Sequence, residues 1–436
     1  MLMAASGGAA GLLLHRSAVA DNRPAVTKPR ATSGDVASEP NWDERLTVTV
    51  GPEKADIVGT TDQALQAAIG YVARLGGGTV QVLPGVYALR NSLFLTKGVR
   101  LLGSGDESVL RKEASHETGI AADSDWFDQE ITLENAEGFK VGDGVILETK
   151  NPHHGGLDVM RRTLVARSGN RFKLDRALRN NFWQDMAPTV SSRFPMITAE
   201  ETGGFAVEHL TLDGNRANNA HINGNYAGGL WFQDCRDIVM KNLHVHDYNG
   251  DGISFQISHD VVVQGCRVDN NKDLGIHPGS GAQRPLMTDN VATGNNIGIF
   301  FCWGVKYGLA ERNRIEDNNI GISIGHRDDE NVIQDNDVLR SALVGVTFRP
   351  ERGKGYTAKG NRVENNRITD SGDDDGVAID VQGVTANNSL VGNALRETRG
   401  PASRIGIRLG ESVGDMQLAE NAITGFATPI ADLRAG

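Results

Sequence analysis

Five glycines recur at a fixed interval of 23 residues, Gly229, Gly252, Gly275, Gly298 and Gly321, and Gly345 follows after 24. Each opens the same short alternation, read as GLWFQ, GISFQ, GIHPG, GIFFC, GISIG and GVTFR. A self-similar period of this kind belongs to a solenoid, whose core grows along an axis instead of as a sphere. Paired-helix repeats need about 33 residues or more. The units are also rich in β-branched residues, Asn and Gly, which disfavour helices. The period does accommodate three short strands and three turns, one coil of a parallel β-helix.

A second marker runs through the same region. Asn242, Asn290, Asn313, Asn336, Asn361, Asn393 and Asn421 each precede an alternating pair, mostly 13 to 16 residues after their glycine. Asn and Gly tolerate the left-handed backbone of tight corners, and stacked asparagines can pair from coil to coil. The series is expected to mark one corner of the solenoid. After Gly345 the spacing loosens to Gly376 and Gly406, so those coils should carry longer loops.

Composition fits a thin-cored β-solenoid. Apolar residues make up 39% of the 436, aromatics only 6%, and there are 53 glycines. A net charge of −11 argues against nucleic acid as a partner. Cys235, Cys266 and Cys302 include no close-spaced pair. Neither a zinc knuckle nor a disulfide framework is indicated, and single buried thiols are expected.

Residues 1–20 read as an export signal. The apolar run 3–14 is too short to span a membrane, and Ala18-Val19-Ala20 offers a small-residue cleavage site before Asp21. The basic region that should precede it is missing, which places the expected true start upstream. Residues 21–45 are a polar, Pro-containing linker, and 46–436 form the β-helix domain, with regular coils over 229–430. No other stretch would cross a membrane. A secreted or periplasmic protein is expected, and the sequence leaves its oligomeric state open.

Thr60 or Thr61 can N-cap a helix reaching about Leu75, with Leu65, Ala68, Ile69 and Val72 on one face. Gly76-Gly77-Gly78 would end it, and a helix there would cap the open end of the solenoid. Residues 131–180 break the repeat. EGFKVGDGVILET, RTLVARSG and NRFKLDRAL suggest antiparallel hairpins, which with His153, His154 and Trp183 could wall one side of a groove or be only a structural arm.

The entry segment GTTDQALQAAIGYVARLGGGTVQVLPGVYAL, the following VRLLGSG and coils such as DNNIGISIG resemble the pectate-lyase-like superfamily over roughly residues 55–430. The resemblance implies an all-β, right-handed parallel β-helix with an N-terminal capping helix and a β-hairpin insertion. It is specific for fold, because that fold hosts lyases, hydrolases, epimerases and non-enzymatic binders. The DPHD motif of mannuronan C5-epimerases is missing. The polygalacturonase motif set is only echoed, by NGDG around Asp251 and GISIGH at His326.

Function must therefore come from stacking. Alternate side chains of a strand face opposite ways, and coils lie about 4.8 Å apart. Residues two and four past each glycine should form two outward columns. The first would read Trp231, Ser254, His277, Phe300, Ser323, Thr347, Ala378, Arg408. The second would read Gln233, Gln256, Gly279, Cys302, Gly325, Arg349, Asp380, Gly410. The turns beyond add Trp303, Lys306, Tyr307, His326, Arg327, Arg352 and Lys354. Aromatic platforms suit sugar rings and cations suit carboxylates, so an anionic, uronate-containing polysaccharide is the expected ligand, against an ordinary solvated face.

In that reading Trp231, Gln256, Phe300, Trp303, Lys306, Arg327 and Arg352 bind the saccharide. The expected activity is a polysaccharide lyase or C5-epimerase. His277 or His326 is the base, Arg349 neutralises the uronate carboxylate and Tyr307 is the acid. His277 could equally be satisfied by a corner hydrogen bond, and Arg349 could be a surface partner of Glu351. Asp251 and Asp375 stand just before a glycine, where other coils place Leu, Ile or Val. A carboxylate there needs a partner, or serves an Asx-type turn. No metal-ligand set is assigned. Ca²⁺ is the one candidate cofactor, at Asp373-Asp374-Asp375, weighed against a solvated loop. Two alternatives remain. One is a glycoside hydrolase using a carboxylate pair such as Asp247 and Asp251, and the other is a non-catalytic, adhesive solenoid.

Overall fold

Each coil of the chain supplies three strands in turn. Gly228–Gln233, Arg236–Lys241 and His244–His246 are followed by Asp251–Gln256, His259–Gln264 and Arg267–Asp269. Leu230 pairs in parallel with Ile253, Ile238 with Val261 and Val245 with Val268, a step of 23 residues on all three faces. Repetition of this step builds parallel sheets of 13, 11 and 11 strands. The computed structural model describes residues 44–151 and 154–434. The export-signal segment, nearly all of the linker, and His153 lie outside the described residues.

The sheet that begins at the periodic glycines carries the groove. Its inward residues Ile253, Ile276, Ile299, Ile322, Val346, Ile379 and Ile407 stack fully buried, each worth about 1.5–3 kcal/mol of burial. The glycines themselves are a matter of space. A Cβ on Gly275 would stand 2.6 Å from the Gly298 carbonyl oxygen, and one on Gly298 would stand 2.4 Å from Ile315. They lie within strands and are not left-handed turns.

The asparagine series resolves into separate ladders. Cys266, Asn290, Asn313, Asn336, Asn366, Asn393 and Asn421 form one, in which each backbone N–H donates to the next asparagine Oδ1 at 2.9–3.0 Å. Asn361 belongs to another, running Asn331, Asn361, Asn388. Asn242 belongs to neither. It is the left-handed residue before the ladder position, with φ 51°, a place later taken by Gly265, Asp289, Arg312 and Asp335. The ladder asparagines thus satisfy buried backbone groups, and their predecessors make the bend.

Thr61, in extended conformation, precedes a helix Asp62–Arg74 that buries Leu65, Ala68, Ile69 and Val72 on the first strands. Gly76, Gly77 and Gly78 end it at φ 89°, 118° and 148°. The insert is a six-stranded antiparallel sheet spanning Glu117–Gly119 to Thr189–Ser191. It has its own core, with Phe139, Leu147, Leu164, Phe172 and Phe182 buried together. Gly144–Lys150 pairs with Leu157–Ser168 across it, and Arg171–Leu174 continues the sheet.

Candidate functional site

Register fixes the outward columns of the groove sheet. Trp231, Ser254 and His277 are in line, as are Phe300, Ser323, Thr347, Asp380 and Arg408. Asp380 therefore takes the place expected for Ala378. Val344 pairs with Val377 and Val346 with Ile379, so Ala378 stands at the glycine position. Val377, not Asp375, stands before it. Asp380 accepts hydrogen bonds from Arg408 Nε and Nη2 at 2.8 and 2.7 Å, which closes that end of the column with an internal ion pair.

The chemistry-bearing centre lies four coils upstream. Asp251, the first residue of its strand, sends Oδ2 to His277 Nδ1 at 2.6 Å and accepts the Leu274 backbone N–H on Oδ1 at 3.1 Å. Ser254 Oγ also lies 3.2 Å from Nδ1 and donates to the Gly224 carbonyl at 2.9 Å. The loop at Gly224 closes so tightly on Asp251 that a Cβ there would overlap the carboxylate. Asp251 and His277 are 1% and 3% exposed. Burial pushes the Asp251 carboxyl up from its usual value, with the His277 charge opposing. Burial likewise opposes charge on His277, but Asp251 and then the Cys302 thiol outweigh it and raise the imidazole to about 9.

That leaves His277 Nε2 buried and without a partner in hydrogen-bonding geometry. The ring meets Phe300 edge-on at 5.4 Å. The Cys302 backbone N–H donates to the Pro278 carbonyl at 3.0 Å, which brings the thiol beside the imidazole. Cys302 is the half-buried member of the three free cysteines, so it departs from the expectation of buried thiols. Cys235 and Cys266 keep to it.

Arg349 reaches back along the axis over two coils. It donates to Ser323 Oγ and to the Phe301 carbonyl, each at 2.7 Å, and pairs with Asp328 Oδ2 at 3.2 Å. Its Cζ lies 4.3 Å over the Phe300 ring, and its Nε is buried without a partner. Asp328, not Glu351, is its counter-charge; Glu351 instead accepts the Val384 N–H. Burial raises the Asp328 carboxyl to about 7, against Arg349 and the backbone donors of Val305 and Gly325.

A rim of aromatics and cations surrounds this centre. Trp303 and Tyr356 meet edge-on at 5.7 Å, Arg327 lies 3.8 Å over Tyr356, and Arg352 lies 5.7 Å over Trp303. Trp303, Tyr307, His326 and Arg327 all hold left-handed backbone, which costs a non-glycine residue energy. His326 Nε2 donates to the Pro350 carbonyl at 2.9 Å, and burial and then Arg349 lower its pKa. Tyr307 is exposed at the corner, beside Lys306, which is held by Asp329 at 2.8 Å.

Two expected sugar contacts are covered. Trp231 is 1% exposed, with the Arg161 guanidinium 3.6 Å over its ring and its Nε1 donating to Gly224. Gln256 is buried over Gly279, with its amide spent on Ser280 N and Ser254 Oγ. Asp247 is held by His246 at 2.7 Å. In the 373–375 run, Asp374 pairs with Arg404 at 2.8 Å. Among the described residues no group of three His, Cys, Asp or Glu side chains is placed to hold a metal.

Sequence reasoning missed a cluster of arginines on the insert. Arg161, Arg162, Arg176 and Arg179 line a cleft of about 430 Å³ between the insert and the first groove strands, with Glu200 as its acidic wall residue. They are spread over an irregular segment, and no repeat places them against Trp231. Only the fold of the insert does.

A family model described as NosD, periplasmic copper-binding protein, matches residues 179–351. No curated protein matches the chain. Among solved structures, one called a glycoside hydrolase is similar at 11% identity and TM-score 0.54, covering 87% of this chain and 97% of that one. PfbA, a surface adhesin of Streptococcus pneumoniae, is similar at 11% identity and TM-score 0.50, covering 83% and 85%. The fold is a parallel β-helix solenoid.

Proposed function

We propose that this protein binds an anionic, uronate-containing polysaccharide along the groove sheet and acts on it by β-elimination or C5-epimerisation. The observation that carries the reading is the buried Asp251–His277 pair, whose imidazole Nε2 has no partner in hydrogen-bonding geometry and whose ring meets Phe300, the ring that Arg349 lies over. Asp251 fixes the ring through Nδ1, so Nε2 is the nitrogen that takes a proton from C5 of a uronate, once the side chains that bury it in the free protein shift aside on binding. Arg349 supplies positive charge at the carboxylate through Nε, assisted by Arg352 and Arg327 on the rim. That charge acidifies the C5 proton and stabilises the anion that forms.

In elimination, Tyr307 or His326 passes a proton to the departing oxygen. In epimerisation, one of them returns it to the opposite face. Phe300, Trp303 and Lys306 hold neighbouring sugars. The carboxylate-pair reading has less behind it, since Asp251 is committed to His277 and Asp247 to His246. A binder without turnover is favoured by one observation, the commitment of both Arg349 terminal nitrogens to protein acceptors. The copper named for the matched family lacks a three-residue ligand set among the described residues, so no proposed step runs through copper.

The periplasm or the cell exterior is the proposed compartment, in keeping with the polymer substrate and the periplasmic description of the matched family. No helix among the described residues is long and apolar enough to cross a membrane. The test is absorbance near 235 nm with polyuronates, alongside proton exchange at C5 in deuterated water. Unsaturated products establish elimination, and exchange without them establishes epimerisation. Neither, with binding retained, leaves the non-catalytic reading.

A further inference from the structure

Arg161, Arg162, Arg176 and Arg179 are brought together in a protein of net charge −11. Like charges so close repel, and partial burial makes Arg161 and Arg162 more costly unless paired, while Arg176 and Arg179 are exposed. Arg161 has a partner in Glu200 at 2.7 Å. Arg162 has no carboxylate: its nitrogens donate to the backbone carbonyls of Arg161, Arg176 and Ala177. Burial, and then the neighbouring Arg176, lower its pKa to about 10. Arg176 leans on Asp175 at 3.3 Å, and that carboxylate already accepts the Thr163 backbone N–H at 2.8 Å. Arg179 is exposed at the mouth of the cleft.

The wall thus carries four cations against Glu200. Asn225, Tyr226 and Gln233 supply neutral polar groups around the same space. Planar guanidinium groups match carboxylate and sulfate oxygens in paired contacts. We propose that this cleft is an oxyanion subsite that holds a carboxylate or sulfate-ester substituent of an acidic saccharide. It lies at the coil of Trp231, two coils before His277 in the same column, about 9–10 Å along the axis. The insert therefore fixes one end of the bound saccharide while later sugars lie at the centre. The inference rests on the polysaccharide reading of the groove and adds to it where the charge is recognised.

The test is calorimetric binding of galacturonate oligomers, of sulfated galactan oligomers and of carboxyl-reduced neutral oligomers to the full protein. Arg179→Gln, Arg162→Gln and the distant control Arg312→Gln are compared with wild type. Arg179 is exposed, so its variant remains informative if Arg162→Gln fails to fold. The expected result is a loss of about tenfold in acid-oligomer affinity for Arg179→Gln, a weaker salt dependence, and no change for Arg312→Gln. The better-bound acid identifies the oxyanion. Unchanged affinity in both cleft variants, or equal binding of the neutral oligomer by wild type, overturns the subsite. Cleft-dependent binding without turnover keeps the subsite and removes the enzymatic reading, and no acid-oligomer binding at all removes both.

Discussion

Asp251 Oδ2 stands 2.6 Å from His277 Nδ1 with both side chains almost wholly buried. Such a pair is costly to break, because the survivor is left as an uncompensated buried charge. Asp251→Asn should destabilise the protein by about 3–5 kcal/mol in denaturant unfolding. It should also move the His277 titration from about 9 to below its unfolded value of about 6.5, because burial then acts without its counter-charge. Imidazole signals followed by NMR from pH 5 to 10 decide it. A His277 that still titrates near 9 in the variant means that Asp251 is not what holds its proton.

The same shift has a consequence for stability. A folded value raised above the unfolded one contributes stability that is full below about pH 6.5 and is lost as pH rises through about 9. Lys112 works in the opposite direction. Burial lowers its pKa to about 7, so it adds stability as pH climbs from 7 towards 10.5. The two should nearly cancel in wild type. His277→Gln combined with Asp251→Asn removes one side without stranding the carboxylate, and its unfolding free energy should then rise with pH between 7 and 9 while that of wild type stays level.

Within the proposed reaction, His277 must be neutral to take a proton. The rate of elimination or exchange should therefore climb through pH 8 and level off above about 9. A rate that falls over this range would assign His277 the role of proton donor instead.

Cys302 is half-buried beside the imidazole, whereas Cys235 and Cys266 are buried and burial pushes their thiols up, Cys266 to about 12. Iodoacetamide at neutral pH should label Cys302 alone in the folded protein, and an acidic oligosaccharide in the groove should slow the labelling. Peptide mass spectrometry reads both results. Equal labelling of all three thiols would mean that the coil opens locally, and no protection would place the saccharide elsewhere.

The solenoid was legible because its period is written in the backbone. The space between successive glycines leaves little room for a Cβ in the coils from Gly229 to Gly345, and that constraint recurs in sequence as a nearly fixed interval until Ala378 takes the position. The groove columns were legible as long as the interval held. After Gly345 the longer loop displaced the count by two, so Ala378 and Asp375 were assigned places that belong to Asp380 and Val377. Exposure was not legible. Trp231 faces outward as its parity requires, yet Arg161 from the insert lies over it, and no repeat encodes where an insert folds back. The His277 pairing with Asp251 was hidden for a related reason: the partners sit in adjacent coils, 26 residues apart.

Arg349 offers the sharpest separation of structure from function. It pairs with Asp328, which is fully buried and held besides by the backbone N–H groups of Val305 and Gly325. Arg349→Ala abandons Asp328 to its low-dielectric surroundings, and should cost about 3–5 kcal/mol. A loss of activity in that variant alone would therefore say little. Adding Asp328→Asn removes the orphaned charge while keeping an oxygen for one of the two backbone donors, Val305 and Gly325, so part of the stability should return. If Arg349 also neutralises the substrate carboxylate, the double variant stays inactive although it melts well above the single variant. A double variant that regains turnover along with its stability would confine Arg349 to holding the corner at Asp328.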